Sequence, residues 1–289
     1  MPRLSAVICL LLSGTIALAA PGRIETETLL IVDESSGQIS APRFAELTDQ
    51  TIRVTRQLFE FWSVEDRSAE LGKIHVKFLP PLGGYYGAQF HWVQGPGGRV
   101  RVVSVFGTHR EPQELAHKLT HAIYPSSDKL VRNMMGIPAE MRFGNRDSFP
   151  MCGLHVDDWV LALRDAGAYR PLTELTPENE PWGQTMGPSG MLILTDERLQ
   201  HISYAEAGSF GAYLLRHYGM ARMKRFYKVN QEKRTRPWAE VYGHSLLELE
   251  QEWLAALESA RSSRTSGVAE AFRLQGLRGA AMCPPRKGP

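Results

Sequence analysis

The chain is short of several things that would narrow its class quickly. It has three cysteines in 289 residues, one of them in the N-terminal segment, so the remainder can form at most one disulfide. It has little excess charge: 33 basic against 31 acidic residues give a net charge of +2, and no strong case for a polyanion-binding protein arises. It has no internal repeat, which argues against a solenoid or propeller. After the first twenty residues it has no apolar run long enough to span a membrane. With 43% hydrophobic and 22% charged residues, what remains is an ordinary globular composition, enough for one or two domains with a substantial core.

The N-terminus reads as a targeting segment. Arg3 precedes an apolar run from Leu4 to Leu12, and small residues end in Ala17-Leu18-Ala19. That is the pattern of a secretory signal peptide over residues 1–19, cleaved near Ala19, and it predicts a periplasmic or secreted mature chain with no integral membrane segment. Cys9 lies inside the apolar run without a lipobox-like context. Export would permit a bond between Cys152 and Cys283, and the sequence leaves that pairing open.

The mature chain has an α+β order, with a small mixed sheet and helices first and a mainly helical part after. Strands are expected at Thr28 to Val32 and Lys73 to Leu79. A hairpin is expected from Gln89 to Val93 and Val100 to Phe106 around the Pro96-Gly97-Gly98 turn. Helical periodicity marks Phe44 to Trp62, Pro112 to Tyr124, Lys129 to Phe143, Asp157 to Ala166, Tyr204 to Tyr218 and Leu246 to Leu257. Thr173 to Gly190 is rich in Pro and Gly and reads as a loop. One domain is expected over residues 20–261, sheet-rich to about residue 110. The Ser-, Arg-, Gly- and Pro-containing segment 262–289 reads as a disordered tail. The basic run from Lys224 to Arg236 reads as a solvated helix face and loop, not a nucleic-acid site.

One cluster carries chemistry: His117-Lys118-Leu119-Thr120-His121, with eighteen residues separating His121 from Glu140. Residues four apart share a helix face, so both imidazoles can reach one Zn2+ at roughly 2.0–2.1 Å. A glutamate from a following helix would complete three protein ligands and leave a position open for water. In a working H-E-x-x-H motif the second residue is the general base. Here that residue is Lys118. Glu114, one turn before His117, reads as a helix N-terminal charge, and a pairing of Lys118 with Glu140 or Glu114 over an empty site stays open.

These motifs resemble the peptidase MA-like, or gluzincin, zinc metallopeptidases, and in particular the aminopeptidase-type spacing H-E-x-x-H-x18-E. The resemblance covers roughly Thr28 to Leu257 and includes the segments Tyr204-Ala205-Glu206-Ala207-Gly208 and Gly243-His244-Ser245-Leu246. It implies a zincin-like fold, with His117, His121 and Glu140 as zinc ligands and Tyr204 as the oxyanion stabiliser. It also implies that Val100 to Phe106, the strand before the metal helix, borders the cleft and pairs with extended substrate. Two residues depart from the family pattern: Lys118 in place of the base, and Met141 in place of the glycine that often follows the third ligand.

An ammonium accepts no proton unless its pKa falls steeply, and it repels a nearby dication. The function expected is therefore that of an exported pseudopeptidase with a degenerate zinc site, binding a peptide or protein. An active zinc peptidase with an unusual base and a metal-free interaction module stay open, as do a loaded and an empty site. His201 reads as a surface or capping residue, His155, Asp157 and Asp158 as a helix start with Asp157 near the cap, and His75 as structural. Tyr85, Tyr86, Phe90 and Trp92 read as core or edge packing.

Overall fold

Alternation of apolar and polar side chains builds the first layer. A computed structural model describes residues 22–63, 72–81, 86–108, 111–187, 192–276 and Cys283. The segment 1–19 expected to be a signal peptide, Tyr85 and most of the C-terminal segment beyond residue 276 lie outside the described residues. Strands β1 (Arg23–Glu25), β2 (Leu29–Asp33), β3 (Ile74–Leu79), β4 (Gly87–Gly95) and β5 (Gly98–Phe106) form one mixed sheet in the order β1-β2-β3-β5-β4. β2, β3 and β5 run parallel, and the two outer strands pair antiparallel. In β3, Ile74, Val76 and Phe78 are buried while the residues between them are half-buried, the period of two that a sheet face requires. The parallel register aligns Ile31, Val76 and Val103 in one row across the sheet, all without solvent exposure.

Helix α1 (Ala41–Trp62) makes the crossover from β2 to β3. Ser40 caps its start by accepting from the Arg43 N–H, and Leu47, Thr51, Val54, Leu58 and Trp62 form its buried stripe. The β4–β5 hairpin then returns the chain to the sheet. β5 is hydrogen-bonded on both sides, so it is an interior strand. The strand expected to border a cleft and pair with substrate is thus covered by its own hairpin partner, and β4 is the edge.

The rest is helical: α2 (Leu115–Ile123), α3 (Lys129–Phe143), α4 (Val156–Asp165), α5 (Glu197–Lys233), α6 (Trp238–Tyr242), α7 (Leu246–Ser259) and α8 (Thr265–Gly276), with a small hairpin of β6 (Gln184–Met186) and β7 (Leu192–Leu194) before α5. Helix α2 begins at Leu115, later than Pro112, because Glu114 sits in the left-handed region at φ 56° and breaks the helical path. Helix α5 begins seven residues before Tyr204, capped by Asp196, and is kinked at Gly219, whose φ is 81°. The 173–190 segment holds two short 3-10 turns and β6 where only loop was expected.

Helices α3 and α5 approach very closely. Pro138 has no N–H to offer the Met134 carbonyl in the turn before it. Gly211 of α5 packs on that carbonyl, and a Cβ there would lie 1.9 Å from its oxygen. Residues 265–276, expected to be disordered, are helical. Val268, Ala271 and Leu274 recur on one face and are buried, and Arg264 just before them pairs with Asp157 and Asp158. Three apolar residues at helical spacing outweigh the polar composition around them. Cys152 and Cys283 form a disulfide with Cα atoms 4.9 Å apart. Among the described residues no helix is long and apolar enough to cross a membrane.

Candidate functional site

Helix α2 lies against α3, and the two place His117, Lys118, His121 and Tyr204 together. The imidazole centroids of His117 and His121 are 4.4 Å apart, edge to face. The Tyr204 ring, brought by α5, lies 6.2 Å from that of His117, and Lys118 Nζ stands 5.8 Å over it. Gly136 of α3 faces both imidazoles. A Cβ at that position would come within 2.8 Å of His117 Nε2 and 2.9 Å of His121 Nε2, so the two helices meet here only because residue 136 has no side chain.

Each histidine is already engaged. His121 Nε2 donates to the Arg132 carbonyl at 3.1 Å, and His117 Nε2 lies 3.1 Å from Asn133 Oδ1. His117 Nδ1 has no hydrogen-bond partner and faces Glu114 Oε1 at 3.6 Å. Burial pushes both imidazoles well below their usual pKa, and Lys118 and Arg132 add to that. They are neutral at physiological pH.

Lys118 is buried and donates to Glu114 Oε1 at 2.8 Å. Glu114 therefore acts as the counter-charge of Lys118, beyond the helix-terminal role its position suggested. Glu140 is fully buried one turn beyond Gly136. Its Oε2 accepts from the His117 backbone N–H at 2.9 Å, while Oε1 accepts from the Asn145 N–H and the Ser148 hydroxyl, both at 3.0 Å. Ser148 Oγ in turn accepts from the Glu114 N–H at 3.0 Å. Since Glu114 offers α2 no side-chain cap, Glu140 supplies one from the neighbouring helix. Burial raises its carboxyl to about 7, against three donors that pull it down.

A catalytic zinc centre requires three protein ligands at roughly 2.0–2.2 Å. As a pair, the imidazoles are close enough. Yet both Nε2 atoms point at oxygen acceptors, and the one unpartnered ring nitrogen, His117 Nδ1, faces the Lys118–Glu114 pair instead. Glu140 would have to leave three donors to serve as a ligand. Among the described residues, no group of three or more His, Cys, Asp or Glu side chains is placed to hold a metal ion. The residues as arranged do not fit a three-ligand zinc centre.

The other candidates fall elsewhere. His201 is buried against Phe149 and Trp159 and donates to the Pro150 carbonyl at 2.9 Å. His155, not Asp157, caps α4, accepting from the Asp157 N–H through Nδ1 at 3.2 Å. His75 is half-buried in β3, and Phe90 and Trp92 pair edge to face on β4. Sequence reasoning missed Asn133, Gly136 and Ser148. The signal for the first two was present: residues 133, 136 and 140 share one face of α3 at i, i+3 and i+7. No protein-family model matches this chain, and no curated protein matches it.

Proposed function

We propose that this protein is an exported, non-catalytic relative of zinc peptidases that binds a peptide or protein in the region where such an enzyme would cut. The observation carrying this is the Lys118–Glu114 pair. At the position of the general base stands a buried ammonium held at 2.8 Å by a carboxylate. A base is worth about 10²–10⁴-fold in such reactions, and an ammonium so paired cannot take a proton from water. Glu140, the expected third ligand, serves as an amide acceptor, which supports a structural use of the former centre. The Cys152–Cys283 disulfide suits an oxidising compartment and supports the export reading. Among the described residues β4 is an outermost strand of the sheet and lies beside α2, a place where an extended peptide can add.

The test is the metal content of the exported protein, purified without metal-affinity resin, together with hydrolysis of an unstructured peptide pool with and without added zinc. Substoichiometric zinc and no cleavage are expected. Stoichiometric zinc with cleavage that disappears in Lys118→Ala would overturn the proposal and make Lys118 a catalytic group.

A further inference from the structure

Three cations stand on the two helices that carry this site, and among the described residues one of them has no side-chain partner. Lys118 is held by Glu114. Lys129, in the first turn of α3, is buried and donates to Gln184 Oε1 at 2.5 Å. Arg132, one turn further along the same helix, is half-buried. Its backbone carbonyl receives His121, but its guanidinium makes no hydrogen bond or ion pair with any described residue.

The nearby acids do not neutralise it. Asp128 is within electrostatic reach of Arg132, but both its oxygens are committed to Arg236 at 2.7 and 2.9 Å. Glu180 faces Lys129 from an exposed position, where water screens it. Glu114 belongs to Lys118. Lys118 is matched by Glu114 and Arg236 by Asp128, which leaves the Arg132 guanidinium without a close counter-charge, with both imidazoles neutral. Burial, with the Arg132 and Lys118 charges adding to it, lowers the Lys129 ammonium to about 7. A half-buried guanidinium without a counter-charge is open to an incoming anion.

The geometry points to an anion site. We infer that Arg132, one helical turn from Lys129 and with its backbone carbonyl on His121, receives a carboxylate group of the bound ligand, the C-terminus of a peptide. The planar guanidinium offers two parallel N–H groups that match the two oxygens of a carboxylate. The Tyr204 phenol lies within electrostatic reach of the same guanidinium. One monovalent anion supplies the missing counter-charge. This inference deepens the peptide-binding reading and rests on it.

The test uses the full exported chain. Its probes are a random tripeptide mixture with free C-termini, the same mixture with C-terminal amides, and succinate, at constant ionic strength, with and without EDTA. The readouts are the thermal midpoint and competition calorimetry. The free-acid tripeptides should bind at least tenfold more tightly than the amides, in EDTA as without it. Arg132→Gln should remove that preference, and Arg132→Lys should restore part of it. Because Arg132 has no partner to lose, the unliganded Arg132→Gln protein should melt no lower than the natural one, which separates a binding defect from a folding defect. Succinate binding without tripeptide binding would keep the carboxylate site and assign it to free small acids. Equal binding of acid and amide mixtures would overturn the anion site while leaving peptide binding in place. Binding abolished by EDTA and unchanged in Arg132→Gln would overturn both this inference and the metal-free reading. No binding by any probe would overturn the site.

Discussion

The two sides of helix α2 are held by different physics. One side brings Leu115, Leu119, Ala122 and Ile123 into the core that α2 shares with α1 and the β4–β5 hairpin. Such contacts are non-directional, and a neighbour of similar size can usually take their place. The other side brings His117, Lys118 and His121 toward α3, where the polar contacts rest on one named partner each, His117 Nδ1 alone of the imidazole nitrogens having none. Removing a partner there leaves a buried group unsatisfied, at about 1–3 kcal/mol for each one. The apolar side therefore tolerates change in a graded way, and the polar side fails abruptly.

The largest break of that contrast is expected at Glu140. Glu140→Ala strands the His117 and Asn145 N–H groups and the Ser148 hydroxyl together, and should cost about 4 kcal/mol in urea unfolding. It should leave metal content unchanged. Shape-preserving replacements sharpen the comparison. Glu140→Gln turns one acceptor into a donor facing other donors, and should cost about 2–3 kcal/mol. Leu119→Met, on the apolar side, should cost under about 1.5 kcal/mol by the same measurement. Similar losses in the two would mean that the α2–α3 seam is no more directional than the core.

Lys129 extends the contrast to pH. Its folded pKa is lowered to about 7, chiefly by burial, so between pH 7 and 9 the unfolded chain holds a proton that the folded one has shed. Stability should rise with pH across that window, by at most about 1.4 kcal/mol per unit, and Lys129→Met should flatten the rise. Chemical unfolding at pH 7.5 and pH 9 checks the slope. The smallest effect belongs to a pair outside both regions. Lys233 donates to Glu240 at 2.7 Å on an exposed surface, and Lys233→Ala should change stability by less than about 0.5 kcal/mol.

The same contrast explains what could be read from the sequence. Periodicity located β2, β3, the β4–β5 hairpin and α1 to within a few residues, and α3 at both ends, because apolar side chains report burial directly. Motif spacing marked His117, Lys118 and His121, and the family resemblance pointed to Tyr204; the four do come together. Spacing could not place Glu140. A count of eighteen intervening residues does not fix how far α3 slides along α2. The short 124–128 connection sets Asn133 and Gly136 against the imidazoles and carries Glu140 to the start of α2. Seven residues of helix span about 10 Å, so a small difference in connector length exchanges one role for another. The unpartnered Arg132 was equally hidden, because having no partner is a property of the assembled wall.

The Cys152–Cys283 bond sets an order on how the protein is made. Cys283 lies 131 residues further along the chain than Cys152, so the partner is added long after it. The loop bearing Cys152 also bears Ser148, whose hydroxyl links Glu140 to the Glu114 amide. Until Cys283 has been added, only packing and hydrogen bonds can hold that loop. The bond then fastens it to a residue far along the chain and restrains the segment whose Ser148 joins α2 to α3.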